Sequence, residues 1–127
     1  MMKTYERPVV SVDTGLAEGV YAASGAAQGT LNVTDPIVID RWSGGGRIYF
    51  QATWSNITGN ITLNLNFNDT LTEIATDDAA VHTALSGKTA ILTFANTVSN
   101  PLPIYIKIDT GTSIDNLKMT GFTYSVN

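Results

Sequence analysis

The sequence predicts an all-β fold: a β-sandwich of jelly-roll or immunoglobulin-like kind, with about seven or eight antiparallel strands and one short helix. Three observations predict it. Apolar and polar residues alternate with a period of two along most of the chain. Clusters of Gly, Pro, Asn, Asp and Ser separate the alternating segments. The chain has 127 residues, 43% of them hydrophobic, which suits one domain with one sizeable core and shows neither a repeat nor a second domain.

Residues 1–28 differ from the rest. Arg7–Val12 (RPVVSV) reads as a short strand that Pro8 restricts to a sheet edge. The following Leu16–Gly29 is rich in Ala and Gly and has little to bury. It reads as a leader or flexible N-terminal arm, or alternatively as an ordered edge strand lying on the sandwich. The sandwich domain is assigned to residues 29–127.

Thr30–Thr34 alternates around Leu31 and Val33, and Asp35-Pro36 makes a turn. Pro36–Trp42 places Val38 on one face and Ile37 and Ile39 on the other. Ser43-Gly44-Gly45-Gly46 reads as a mobile turn with freedom to take positive φ. Arg47–Trp54 then sets Ile48, Phe50, Ala52 and Trp54 against Arg47, Tyr49, Gln51 and Thr53. Asn60–Phe67 sets Ile61, Leu63, Leu65 and Phe67 against Asn60, Thr62, Asn64 and Asn66. The turn-forming linker Ser55–Gly59 makes these two segments a hairpin.

Asn68–Ala75 is polar and reads as a loop. Thr76–Gly87 carries helix punctuation: Thr76 or Asp77 as N-cap, acidic residues in the first turn, Gly87 as terminator. Val81 and Leu85, four apart, would hold that helix on the sheet. Lys88–Asn96 returns to strand with Ala90, Leu92 and Phe94 inward. Leu102–Asp109 alternates cleanly, with Leu102, Ile104, Ile106 and Ile108 inward and Tyr105 and Lys107 outward. Leu117–Val126 closes the chain with Phe122, Tyr124 and Val126 on one face, and a change of face near Gly121 predicts a bulge.

The segments ERPVVSV and LAEGVYAASG, at Glu6–Val12 and Leu16–Gly25, resemble the start of a group of short Gram-positive bacterial proteins. These open with a Met-Lys-x-Tyr-Glu-Lys-Pro type of sequence, carry a Leu-Ala-Glu-Gly-Val-Tyr-Ala-Ala-Ser-Gly segment, and continue into diverse β domains. The resemblance implies an exported or surface-associated protein, extracellular or on the cell surface. It transfers no catalytic residue. The N-terminus lacks the apolar core of a secretory signal, so the chain stays inside, or had a signal removed, or leaves by another route.

Composition excludes several classes. The net charge is −4, and seven basic residues spread singly make no patch for nucleic acid or an anionic membrane. Charged residues make up 14% of the chain, against about 25% in typical domains. Thr and Asn supply the polar surface instead. With no cysteine there is no disulfide scaffold, thiolate metal site or Cys nucleophile. No run of apolar residues is long enough to span a membrane as a helix.

No catalytic set stands out, and the chain reads as no enzyme. His82 is the only histidine and lies in the expected short helix, so neither a triad nor a His-rich metal site is read here; an exposed structural role fits it best. Asp77 and Asp78 are adjacent and would diverge on a helix, which favours helix-start charge over a facing acid pair. No cofactor is expected. A structural calcium ion is the exception considered: Asp35, Asp40, Asp69, Asp109 and Asp115 all fall at strand ends or turns, where carboxylates also serve simply as turn formers.

The aromatic residues are more informative. Phe50, Trp54, Phe67, Phe94, Phe122 and Tyr124 belong to the core. Tyr49 and Tyr105 fall on the polar side of their strands, and Trp42 sits beside the Gly-rich turn. Flat rings pack on the C–H faces of a sugar while amides and hydroxyls bond its OH groups. Trp42, Tyr49 and Tyr105 with Gln51, Asn64 and Asn66, and Thr62 beside them, form the candidate ligand-binding set. The alternative is that Tyr49 and Tyr105 are ordinary cross-strand aromatics. The leading functional expectation is therefore a non-catalytic carbohydrate-binding β-sandwich, similar to carbohydrate-binding modules in architecture only, with a polysaccharide or glycan as partner. The second is a structural subunit, a homo-oligomer whose N-terminal strand adds to a neighbour's open sheet edge. A small hydrolase comes third.

Overall fold

Four strands with one dry face each make the middle of the molecule, and everything else is arranged around their contact. The computed structural model describes residues 29–127; the expected edge strand at residues 7–12 and the arm up to residue 28 lie outside the described residues. In chain order the strands are β1 (Thr30–Val33), β2 (Ile37–Trp42), β3 (Gly45–Ser55), β4 (Asn60–Phe67), β5 (Glu73–Thr76), β6 (His82–Ser86), β7 (Thr89–Ala95), β8 (Leu102–Ile108) and β9 (Met119–Val126). One 3-10 turn, Ile114–Asn116, lies between β8 and β9.

They form two antiparallel sheets, and the fold is a β-sandwich. The front sheet runs β1-β3-β8-β5, with β2 also on β3. β1 pairs with Ala52–Ser55 and β2 with Gly45–Tyr49, so the two lie end to end along one edge of β3. The back sheet runs β6-β7-β4-β9. The inward residues are those that alternation selects. Phe50, Ile104, Ile106 and Ile108 of the front sheet and Ile61, Leu63, Leu65 and Leu92 of the back sheet are fully buried. Burying each such side chain contributes about 1.5–3 kcal/mol, and no polar side chain among the described residues is buried against them. Trp54 ties the sheets together at one end. Its ring centroid is 5.0 Å from that of Phe94, and its indole N–H donates to the Asn96 carbonyl at 3.0 Å.

Four sequence expectations are corrected. β3 and β4 do not form a hairpin: β3 pairs with β1, β2 and β8, while β4 pairs with β7 and β9. Their linker crosses from one sheet to the other, with Ile57 buried in the core and Asn56 at φ 59° turning the corner. Alternation says which side of a strand is dry; it does not name the strand's neighbour.

The segment expected as a helix is a turn followed by β6. Asp78 does accept an N–H ahead of it, from Ala80 at 2.9 Å, but its other oxygen accepts the Ser99 N–H at 3.1 Å. The side chain therefore closes a local turn and ties it to the β7–β8 loop. Two to three helical turns would have been marginal alone. His82–Ser86 instead pairs fully with β7 across a two-residue turn, where Gly87 takes φ +60°, the geometry a tight hairpin demands at its first position.

The polar stretch expected as a loop contains β5, which pairs with β8 at the front sheet's edge. The Gly-rich turn is shorter than expected. Gly44 alone takes positive φ (+86°); Gly45 and Gly46 are the first residues of β3. Gly46 is required for close approach, since a Cβ there would lie 2.4 Å from the Asp40 carbonyl oxygen and 2.7 Å from the Ile114 Cβ. The predicted bulge near Gly121 is present as a register shift opposite Asn66 and Phe67.

Two predictions follow from this packing. Leu65→Ala should cost about 2–5 kcal/mol in urea unfolding, because it opens a cavity among fully buried side chains. Thr62→Val, on the half-exposed face of the same strand, should change stability by less than about 0.5 kcal/mol. The Asp78 carboxyl is held below its usual range, first by the Ala80 N–H and then by Ser99. A lowered carboxyl stabilises the fold above its unfolded pKa, and that stabilisation is lost as pH falls through the folded one. The stability gap between wild type and Asp78→Asn should therefore be full at neutral pH and shrink below pH ~4, measured by unfolding at each pH.

Candidate ligand-binding face

The outward residues of β3 and β8 stand side by side because the two strands are in unbroken register. Arg47 is opposite Lys107, Tyr49 opposite Tyr105, and Gln51 opposite Pro103. On one flank β2 places Ile37 opposite Tyr49, Asp40 opposite Arg47 and Trp42 opposite Gly45. On the other, β5 places Glu73 opposite Lys107 and Ala75 opposite Tyr105. The outer face of the front sheet is thus ruled in rows across the strands. One row is aromatic and apolar (Ile37, Tyr49, Tyr105, Ala75), and the next is charged (Asp40, Arg47, Lys107, Glu73).

Trp42 stands beyond the charged row. Arg47 Cζ is 5.5 Å and Lys107 Nζ 5.9 Å from its ring centroid, within cation–π range. Its indole N–H donates to Asp109 Oδ1 at 3.2 Å. Gly45 allows the close approach of β8 and of this ring: a Cβ at that position would lie 2.2 Å from the Ile108 carbonyl oxygen and 2.8 Å from Trp42 Nε1. Tyr49 and Tyr105 have ring centroids 5.2 Å apart with planes tilted by 38°. The Tyr105 hydroxyl donates to Asp77 Oδ2 at 3.2 Å. Desolvation at the sheet surface raises the Tyr105 phenol above its ordinary value, and Asp77 raises it further. A shallow depression of about 230 Å³ opens beside it, lined by Arg47, Glu73, Ala75, Tyr105, Ile106 and Lys107.

Of the six residues singled out from the sequence, Trp42, Tyr49, Gln51 and Tyr105 share this face. Asn64 and Asn66 do not. They lie on the outer face of the back sheet, opposite Ile91 and Thr89 of β7, where Asn66 Oδ1 accepts the Thr89 hydroxyl at 2.9 Å. Arg47 and Lys107, which sequence reasoning left out of the set, stand at its centre. Their signal was present: each is two residues from a candidate tyrosine on the same strand, and hence on the same face.

The turn carboxylates considered for calcium are dispersed. Asp115 accepts from Arg41 Nε and Nη2 at 3.1 and 2.9 Å, and Asp40 pairs with Arg47 at 3.2 Å. Asp109 accepts from Trp42, and Asp69 accepts the Thr70 N–H at 2.8 Å and the Thr110 hydroxyl at 3.1 Å. Among the described residues no three His, Asp or Glu side chains gather as a metal site would need. His82 is exposed on β6, at the edge of the other sheet.

No family model matches the chain, and no curated protein matches it. Among solved structures, the chain is similar to the chitin-binding domain of a hyperthermophilic chitinase from Pyrococcus furiosus. The identity is 12% and the TM-score 0.46, over 84% of this chain and 94% of that one. A likeness of that degree says nothing about residues or ligand.

The Tyr105 environment has a measurable consequence. In a titration followed by tyrosine absorbance or NMR, its phenol should ionise above the ordinary value near 10. Asp77→Asn should lower that midpoint without restoring the ordinary value, because the larger cause, desolvation, remains. An unchanged midpoint in the variant would mean that the Tyr105–Asp77 bond is not made in solution.

Proposed function

We propose that this protein is a non-catalytic carbohydrate-binding module whose ligand, a neutral polysaccharide, lies on the outer face of the front sheet. The observation that carries the reading is the convergence of Trp42, Tyr49, Tyr105 and Gln51 on one face, from two adjacent central strands and the edge strand β2. Trp42 lies opposite Gly45, four residues along β3 from Tyr49, which sets the two aromatic stations about 13 Å apart. That spacing suits several consecutive sugars of an extended chain better than a single sugar. Rings supply apolar contact at both stations, and Gln51, Arg47 and Lys107 supply hydrogen-bond partners around them.

Charge selects among polysaccharides. Arg47 pairs with Asp40 at 3.2 Å and Lys107 with Glu73 at 3.8 Å, and Asp77 and Asp109 add two further carboxylates to the face. Both cations are matched and carboxylates are in excess, so a polyanion meets net repulsion. Such a ligand fits a protein working outside the cell or on its surface.

The test is affinity electrophoresis and pull-down of the full chain against a panel of neutral and uronate-rich polysaccharides. A neutral polymer should bind. Trp42→Ala and Tyr49→Ala should each weaken it tenfold or more, about 1.4 kcal/mol, while Asn64→Ala and Asn66→Ala on the opposite face should leave it unchanged. If no neutral polymer binds, or if Trp42→Ala binds like wild type, the reading is wrong.

A further inference from the structure

Among the described residues the exposed large hydrophobics are Ile37 and Ile39, 57% and 49% exposed, and both belong to β2. A single exposed isoleucine is ordinary; two so close together on one strand form a patch. Ile37 stands directly opposite Tyr49, so it extends the Tyr49–Tyr105 row of the front sheet's outer face onto β2. Ile39 falls at the register shift between Val38 and Asp40. Val38, between the two isoleucines, packs against the core instead.

This part of the face makes three chemical demands on whatever lies there. The first is aliphatic. The C–H face of a sugar ring is matched by an aromatic ring and its hydroxyls by polar groups, whereas an isoleucine side chain is best covered by another aliphatic group. The second is an acceptor. Arg47 is two residues from Tyr49 along β3, about 6.6 Å. Its Nη1 donates to Asp40 Oδ2 at 3.2 Å, which draws the guanidinium toward β2, the strand that carries Ile37. A guanidinium has five N–H donors and no acceptor, and this bond to Asp40 uses one of them. The third is neutrality, because the excess of carboxylates on this face repels an anion.

We infer that the polysaccharide bound here carries acetyl groups, with an acetyl methyl packed on Ile37 beside Tyr49 and its carbonyl oxygen accepting from Arg47. An acetyl group meets the three demands together: one methyl, one carbonyl acceptor and no charge. Linked through oxygen it is an ester, and linked through nitrogen an acetamide; the methyl and the carbonyl are the same in both. The inference rests on the reading that a neutral polysaccharide lies on this face, and it names the substituent that the face selects.

The test titrates the full chain with two matched pairs of neutral β-1,4-linked glycans. One pair is O-acetylated glucomannan and the same polymer after alkaline removal of its esters. The other is the hexamer of 2-acetamido-2-deoxyglucose and the hexamer of glucose. The acetylated member of at least one pair should bind about fourfold tighter or more, the ratio that burying one methyl-sized group gives. The pair that shows the preference distinguishes ester from acetamide. Ile37→Thr keeps a β-branched side chain on the strand, and it should reduce the ratio to less than about twofold. Asn64→Ala, on the other sheet, should leave the ratio as it is in the wild type. Equal binding within both pairs, or tighter binding of the bare members, would overturn the inference while the polysaccharide reading stands. Failure of all four glycans to bind would overturn both. A preference that survives Ile37→Thr would place acetyl recognition elsewhere and overturn the inference as well.

Discussion

Contact between the dry faces of β3 and β8 and those of β4 and β7 is the constraint on which the molecule depends. Phe50, Ile104, Ile106, Leu63, Leu65 and Leu92 are all fully buried, and they meet with no disulfide across the sheets. Apolar burial is therefore the main stabilising term available, and it claims every inward position of the four central strands. Because a strand's side chains alternate, fixing the inward set also fixes the outward one. Arg47, Tyr49 and Gln51 are displayed because Ile48, Phe50 and Ala52 are not. The candidate face is a by-product of the core's register.

Much of this was legible in the sequence, and the limits are physical. Period-two alternation gave the strands of the centre and their dry faces almost residue by residue, since burial there is all-or-none. It failed where a strand is held by backbone pairing rather than by burial. β5 and β6 are edge strands with two or fewer half-buried side chains each, and nothing in their side chains distinguishes them from a loop or a helical turn. Asp78 illustrates the ambiguity: the same carboxylate-to-N–H bond caps a helix or closes a turn, and only the Ser99 N–H, 21 residues away, decides. Gly45 and Gly46 were legible as glycines and not as packing residues, because what crowds them is the Ile108 backbone of β8, the Asp40 backbone of β2 and the side chains of Trp42 and Ile114.

The candidate site divides along the same line. Placing Tyr49, Gln51 and Tyr105 on outward faces needed local alternation alone. Bringing them together, and leaving Asn64 and Asn66 on the far side, needed the assignment of strands to sheets, which the crossing of the β3–β4 linker decides. Arg47 and Lys107 enter the site for the same reason, through the β3–β8 register. They stiffen Trp42 by lying over its ring while their charges are matched by Asp40 and Glu73. Side chains already held by such contacts lose less entropy on meeting a ligand than free ones.

The most direct test of the central claim is a map of backbone amide shifts during titration of the isotopically labelled full chain with a soluble neutral oligosaccharide. The account predicts saturable shifts concentrated at Trp42, Arg47, Tyr49, Gln51, Tyr105 and Lys107, with the amides of Thr62, Asn64 and Asn66 unmoved. Shifts centred on the back sheet, or at a loop end of the sandwich away from these residues, would contradict it.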